Sequence, residues 1–566
     1  MQQLHPVIQR LFSKKGFTPK MIENFLSWDL KTIPDLGSLI DLEKSSHRII
    51  SAIDNKEKIG IYGDYDVDGT TSCALFYHFF KMLGVEVSLV QPSRFIEGYG
   101  LHLSSIDDAL KNEIKVLITV DCGISNNEAA DYAKELGIDL IITDHHKDAR
   151  ETMPKAYAVV NPNRRDEIDN PDYEELKTLA GVTVAFAVCV QIRNDLIKRG
   201  DNIPSLYSLL QFVAIGTICD LAHLSALNLK LVRHGLKQIK ETNYPGLRAF
   251  FTSEELKAKT IASEKLAFHV GPLINSKGRL EHPEASLQLL IADDHEKAKN
   301  YYDLLVSCNQ ERKFIQSEVF TEAREHVQRE IKYNNNQEHL ITVAYQPHWH
   351  EGVIGIVASK LVDAFKVPAI VFTDAEKEGV IKASCRSAGD LDIFNLLKKE
   401  EHLFLKFGGH KAAAGLSMPK ENLQEFIINI NKTLKDVPAI IRTRLEFYDL
   451  DIDATEITPQ LMRDLDLLEP FGMGNEKPKF RIKGVKLDSF DLMKDVHVRW
   501  SLSKEKTKLK GISFNYVGKH ETPLPNEIYT TQNLKKEDLS VYFTLGLNRF
   551  NGNESIQLMV DKLEFD

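Results

Sequence analysis

Gly63-Asp64-Tyr65-Asp66-Val67-Asp68-Gly69-Thr70-Thr71 decides how this chain is read. Three aspartates alternate along it. An apolar run, 59–62, precedes it and a helical pattern, 72–83, follows, so the stretch predicts strand, tight turn, helix. Carboxylates gathered at the end of a strand repel one another, and a divalent cation between them is the usual relief. A calcium EF-hand also opens D-x-D-x-D-G, but its loop closes on a bidentate Glu at the twelfth position. Leu75 stands there, and no helix precedes the loop.

Outward from this stretch, strands are predicted at 85–90, 116–120 and 140–143 and a helix at 126–136. The apolar run 212–218 reads as another strand. Val/Ile/Leu strands alternating with helices imply a parallel sheet covered on both faces. Asp121 follows one strand, Asp144-His145-His146 the next, and Asp220 the last. With Asp64, Asp66 and Asp68, every candidate ligand falls at a strand's carboxyl end, where open α/β sheets place active sites. Carboxylates with imidazole, and no thiolate, suit Mn²⁺ or Mg²⁺. So many acids exceed the needs of one ion. Two ions roughly 3.5–4 Å apart, bridged by an aspartate and a water, would use them and hydrolyse a phosphoester.

The chain has 566 residues, so several domains are expected. Its net charge of −10 counts mildly against a nucleic-acid binder, although a local basic groove can coexist with it. Cys73, Cys122, Cys189, Cys219, Cys308 and Cys385 form no C-x-x-C pair, which excludes a zinc knuckle and a disulfide framework. Residues 1–15 lack a signal-peptide core, and the longest apolar run, 179–192, is too short to span a bilayer. A cytoplasmic protein that meets no membrane is expected.

Gly271-Pro272-Leu273-Ile274-Asn275-Ser276-Lys277-Gly278-Arg279 reads as a loop whose Gly-flanked Lys and Arg suit an anion, or as a helix-capping turn. A long amphipathic helix at 294–332 reads as a strut. A second α/β unit follows, with strands at 340–344, 369–372 and 380–385 and a helix at 352–363. Ser384 and Arg386 end one of its strands. Gly408-Gly409-His410 reads as opening a helix whose N–H groups approach an anion. His348-Trp349-His350-Glu351 reads as a capped helix start rather than a metal site. Beyond a turn-rich connector at 468–475, strands at 480–486, 497–503, 509–514, 540–548 and 556–563 suit a small barrel. Arg499, Trp500, Lys510, Phe543, Arg549 and Phe550 suit the binding of single strands by stacking and charge, a scaffolding barrel being the alternative.

Asp66-x-Asp68, Asp121, Asp144-His145-His146 and Asp220, in this order, resemble the four motifs of the DHH phosphoesterase superfamily. Within it the chain is similar to the RecJ family of single-stranded-DNA exonucleases from about residue 60 onward. Gly63 to Gly69, Gly216-Thr217-x-x-Asp220 and Gly271-Pro272-x-Ile274-Asn275-x-x-Gly278-Arg279 carry that likeness, with Leu273 where an Arg is common. So do Ser384-x-Arg386, Gly408-Gly409-His410-x-x-Ala413-Ala414-Gly415 and Arg549-Phe550-x-Gly552 with Ser555 to Leu558.

The resemblance implies an α/β protein: an N-terminal segment (1–45), a parallel-sheet DHH domain (46–283) and connecting helices (284–336). A DHH-associated substrate domain (337–437) and a connector with an OB-fold β-barrel (438–566) complete it. It implies metal ligands at Asp66, Asp68, Asp121, His145 and Asp220. Asp64 and His146 would be catalytic, as further ligands or as groups orienting the attacking water, and Asp144 would position the histidine pair. Asn275, Arg279, Ser384, Arg386 and His410 would hold substrate, Ser384 and Arg386 at the DNA 5′-phosphate. The implied activity is 5′-to-3′ removal of nucleotides from single-stranded DNA, dependent on two Mn²⁺ or Mg²⁺ ions, in repair and recombination. Single-strand-binding protein and a helicase are the implied partners of a monomer. The competing expectations are a DHH hydrolase of short RNA or cyclic dinucleotides and a non-catalytic DNA-binding relative.

Overall fold

A computed structural model describes residues 4–565, apart from 94–97, 99, 148–151, 167, 169, 171–172, 334–337, 445–446, 517–537, 551–552 and the side chains of 549, 550 and 553. The calls on Arg549, Phe550 and Gly552 therefore lie outside the described residues.

The first sheet is wholly parallel: β1 (Lys58–Gly63), β2 (Val87–Val90), β3 (Ile114–Val120), β4 (Asp139–Thr143) and β5 (Ala158–Val160), in the order β2-β1-β3-β4-β5. Side chains alternate between its faces, and both faces are covered. Ile59, Ile61, Ile118 and Ile141 enter the larger core, whereas Tyr62, Leu117, Leu140 and Ile142 enter a smaller one on the other face. The strand order reverses direction between β1 and β3. In doubly wound sheets ligands bind at that switch point, outside the carboxyl ends of the strands.

Residues 212–218 are not a strand. They belong to the Leu210–Cys219 helix, and Asp220 is its C-cap. Every residue from Leu210 to Ile218 is buried, so no polar face marks a helical period, and an apolar run of this length reads equally as a buried strand. Gly271–Gly278 is likewise a helix rather than a loop, and Leu273 faces the core.

The strut is the His295–Tyr333 helix. Its first half packs Ala298 and Leu305 into the core of the first unit, and its second half packs Val319, Ala323 and Val327 against Trp349, Val353 and Val357. The second sheet holds β6 (Thr342–Tyr345), β7 (Ala369–Asp374), β8 (Val380–Arg386), β9 (Lys406–His410) and β10 (Ala413–Pro419), in the order β6-β7-β8-β10-β9. Gly408-Gly409-His410 opens no helix. It ends β9 in a hairpin where His410 pairs with Ala413. Gly409, at φ 148°, lies too close to the backbone of Ala413 and Ala414 to carry a Cβ, so its role is close strand approach.

The last unit is a closed barrel of β12 (Phe480–Met493), β13 (His497–Lys504), β14 (Thr507–Ser513), β16 (Asn553–Phe565) and β15 (Leu539–Phe550), with β11 (Leu450–Asp451) added beside β12. Trp500 and Phe543 are fully buried, and Trp500 Nε1 donates to Ser513 Oγ at 2.8 Å. Both fill the barrel, which removes them as base-stacking residues. Arg499 and Lys510 are exposed. Among the described residues no helix is long and apolar enough to cross a membrane, and all six cysteines are free thiols.

Candidate metal centre

Register brings the first acids together. Gly63 pairs with Val120, and Val120 with Thr143. The next residue of each strand is Asp64, Asp121 and Asp144, so three aspartates stand side by side at the switch point. Asp121 has φ 60°, a left-handed conformation that Asp and Asn tolerate better than most residues. Asp66 caps the Val67–Met82 helix, its Oδ1 accepting from Gly69 N at 3.0 Å. Asp68 lies two residues on, in the first turn of that helix, fully buried. Its oxygens accept from Gly181 N at 2.6 Å and Val182 N at 2.9 Å, the opening N–H groups of the Gly181–Arg199 helix, whose dipole favours a carboxylate. Asp220 arrives from the opposite side on its helix end.

Two glycines allow this approach. A Cβ on Gly216 would stand 2.6 Å from Thr71 Oγ1 and 2.7 Å from Asp68 Oδ1. One on Gly181 would stand 2.9 Å from Asp121 Oδ1.

His145 Nε2 is the centre of the cluster, at 3.1 Å from Asp121 Oδ1, 3.7 Å from Asp220 Oδ2 and 3.8 Å from Asp68 Oδ2. Three overlapping sets each have ligand atoms within 4.8 Å of one another: Asp121-His145-His146, Asp68-His145-Asp220 and Asp64-Asp66-Asp121. All seven expected ligand and catalytic residues are thus in one place. Asp121 and His145 each serve two sets, which is the arrangement a pair of ions needs. The donor set is hard oxygen with imidazole, and it fits Mn²⁺ or Mg²⁺.

Without a cation the cluster is strongly frustrated. Burial and the charge of Asp66 push the Asp68 carboxyl up to about 7. Burial with Asp68 and Asp66 pushes Asp220 up to about 9, and Asp121 is raised well above its ordinary value by burial and the same neighbours. His145 is pushed down to about 4 by burial and by His146. A neutral imidazole is the form that ligates metal.

Asp144 has a different part. Its Oδ1 accepts from His145 N at 2.7 Å, His146 N at 3.0 Å and His146 Nδ1 at 2.8 Å, and its Oδ2 accepts from Ile124 N at 2.9 Å. Oδ1 is spent on holding the histidine pair, and Oδ2 on the loop that follows β3. Burial works against the charge on His146, but Asp144 overrides it and raises that imidazole to about 9.

The second domain contacts the first beside the Gly271–Gly278 helix. Arg279 Nη1 donates to Gly352 O at 3.3 Å, and Gly352 admits the Arg279 backbone where a Cβ would collide. Asn275 is partly buried on its helix. Arg386 Nη1 donates to Ser384 Oγ at 2.9 Å and to Cys385 O at 2.8 Å. Both side chains lie over Gly355. His410 is lowered by burial, by Arg386 and by His146, so its imidazole lies within the field of both domains. His350 Nδ1 accepts from Gly352 N at 3.1 Å as the cap of the Glu351–Phe365 helix, and His348 meets Glu322 at 3.2 Å. Among the described residues neither belongs to a set that could hold a metal ion.

The sequence reading missed Gln91, Asn161 and Asn163. Gln91 Nε2 donates to Asp64 O at 2.9 Å. All three follow strand ends, the one signal that could have marked them.

Three family descriptions match the chain: DHH family, N-terminal domain over residues 58–217, DHHA1 domain over 338–436 and RecJ OB domain over 448–562. The single-stranded-DNA-specific exonuclease RecJ of Haemophilus influenzae is 31% identical over 99% of this chain and 96% of its own. This chain belongs to the RecJ family. The Bacillus subtilis RecJ is also 31% identical, over 99% of this chain and 68% of its own. The crystal structure of RecJ in complex with Mn²⁺ from Thermus thermophilus superposes with a TM-score of 0.80 at 25% identity, covering 99% of this chain and 76% of that one.

Proposed function

We propose that this chain is a metal-dependent exonuclease that degrades single-stranded DNA from its 5′ end to nucleotides, in DNA repair and recombination. One observation carries the reading: seven acids and imidazoles, in overlapping sets, converge at the sheet's switch point in a RecJ-family chain. Asp66, Asp68, Asp121, His145 and Asp220 would hold two Mn²⁺ or Mg²⁺ ions, with Asp64 and His146 completing or orienting them. Divalent ions held there would lower the pKa of a water and clamp the phosphoryl oxygens. Asp144 fixes His146 Nδ1, which leaves Nε2 of a partly exposed ring to meet the cleft. Arg386 and Ser384 take the terminal 5′-phosphate, because an Arg fork suits a dianion better than a diester. Asn275, Arg279 and His410 line the same path.

The reading divides the chain at 45, 283, 336 and 437, the last unit binding strand through its exposed cations. Single-strand-binding protein and a helicase are the proposed partners of a cytoplasmic monomer.

The deciding assay supplies Mn²⁺ with 3′-labelled, 5′-phosphorylated single-stranded DNA, duplex DNA and short RNA. Stepwise shortening of the first alone is expected. Preference for RNA would overturn the reading, and no cleavage at all would leave a binding protein. Arg386→Ala should cut activity on 5′-phosphate ends by about 10-fold while sparing 5′-hydroxyl ends, the size of one charge-assisted contact. An unchanged ratio of the two rates would refute that role.

Stability should also follow pH. Asp68 and Asp220 titrate at about 7 and about 9 when folded, above their ordinary 3.8. Between those values the folded chain binds more protons than the unfolded one, so metal-free stability falls as pH rises through that window. Metal replaces those protons. Mn²⁺ should therefore raise the melting temperature more at about pH 9 than at about pH 6. Equal or reversed shifts would contradict the assignment.

A further inference from the structure

The row of strand ends has a fourth member. Thr143 pairs with Val160, so the residue after β5 that continues Asp64, Asp121 and Asp144 is Asn161. The stretch is Asn161-Pro162-Asn163. Asn161 is fully buried, and its Nδ2 donates to His146 O at 3.0 Å. Asn163 Nδ2 donates to His145 O at 2.7 Å and to Lys177 O at 3.2 Å. The two amides are locked together, since Asn161 Oδ1 accepts from Asn163 N at 2.6 Å. Pro162 between them fixes its own φ.

The base of this stretch is anchored as well. Arg164 Nη1 donates to Val159 O at 2.6 Å and to Asp41 Oδ2 at 3.2 Å. Asp41 Oδ2 also accepts from Val159 N at 2.9 Å. The N-terminal segment is therefore tied to the strand that carries the asparagines.

We infer that Asn161 and Asn163 are positioning residues for the metal centre, acting through the backbone of the histidine pair. The inference rests on the metal-dependent reading above. Asp144 grips the N–H side of His145-His146, and the two carboxamides grip the C=O side, so the peptide units cannot rotate. His145 Nε2 must sit among three carboxylates within 4 Å of each, and a small rotation of its backbone would carry it out of reach. The residue type is also decided. A carbonyl needs a donor, which a carboxamide supplies and a carboxylate does not. A carboxylate here would add charge to a centre already crowded with it.

The test is Mn²⁺ binding to the full-length, metal-stripped chain by calorimetry, with activity against Mn²⁺ concentration beside it. N161A and N163A should each weaken Mn²⁺ binding about 10- to 100-fold, the usual effect of removing a group that orients a ligand. Activity should recover as Mn²⁺ is raised, and binding of single-stranded DNA in chelator should be unchanged. N163D keeps the shape, loses the donor and sets a charge against two carbonyl oxygens, so it should weaken Mn²⁺ binding at least as much as N163A, and it serves where the alanine variants do not fold. Wild-type Mn²⁺ affinity in folded N163D or N163A would overturn the inference while leaving the exonuclease reading intact. A wild-type chain that binds no Mn²⁺ would overturn both.

Discussion

Asp121→Asn should lower cleavage of single-stranded DNA by about 10⁴-fold or more, the loss expected when several kcal/mol of metal-borne transition-state stabilisation disappears. Asparagine is the informative substitution. Asp121 sits at φ 60°, where Asn is tolerated and Ala is strained, so backbone and shape survive while the charge is lost. Asp121 belongs to two of the three candidate ligand sets, so its loss should weaken metal binding more than the loss of a residue that serves one. DNA affinity in chelator should not change, because the strand contacts proposed above lie at other residues. The metal-free variant should melt no lower than wild type, since burial and the charges of Asp68, Asp66 and Asp220 already disfavour a charged carboxylate at this position. Mn²⁺ should no longer raise its melting temperature. Asp220→Ala should abolish cleavage in the same way. Retained cleavage, or an equal loss of DNA binding, would exclude these residues from the metal centre.

The site was more legible than the elements that carry it. Asp64, Asp121 and the histidine pair announce themselves because each ends an apolar run, and parallel register then forces them together. Asp220 lies in the cluster, but not at the end of a strand as expected. Its carrier is a helix buried on every side, and an unbroken apolar run carries no period. Gly408-Gly409 misled because glycines admit an anion and a neighbouring strand equally well, and only pairing with Gly415 and Ala414 separates the two. Trp500 and Phe543 misled because a residue's type does not say which face of a strand it occupies. Asn161 and Asn163 were missed for another reason, although they follow a strand end. They hold carbonyls rather than ligands, and carbonyl contacts leave no mark in spacing.

Arg233→Met should cost about 4 kcal/mol and release two distant segments together. Arg233 lies buried on the Ala226–Lys240 helix. Its guanidinium donates to Phe25 O at 2.7 Å and Ser27 O at 3.3 Å in the N-terminal segment, and to Glu469 O at 2.8 Å and Leu467 O at 3.2 Å in the connector. It also stands 5.8 Å from the Phe25 ring centroid and 5.9 Å from that of Trp28. Burial lowers this guanidinium to about 10, so the site bears the cost of a desolvated charge and repays it through four carbonyls. Arg233→Met keeps the apolar stem and abandons all four. Arg233→Lys keeps the charge but not the planar fork, so it should fall between. Limited proteolysis should cut near residues 27 and 467 before global unfolding in the Met variant; protection at both places would refute the clamp. The consequence reaches the metal centre, because Met473 O of that connector accepts from Leu224 N at 2.8 Å, four residues beyond Asp220. A loosened connector should therefore slow cleavage in Arg233→Lys even where the fold persists, which ties the barrel's attachment to the placement of one ligand.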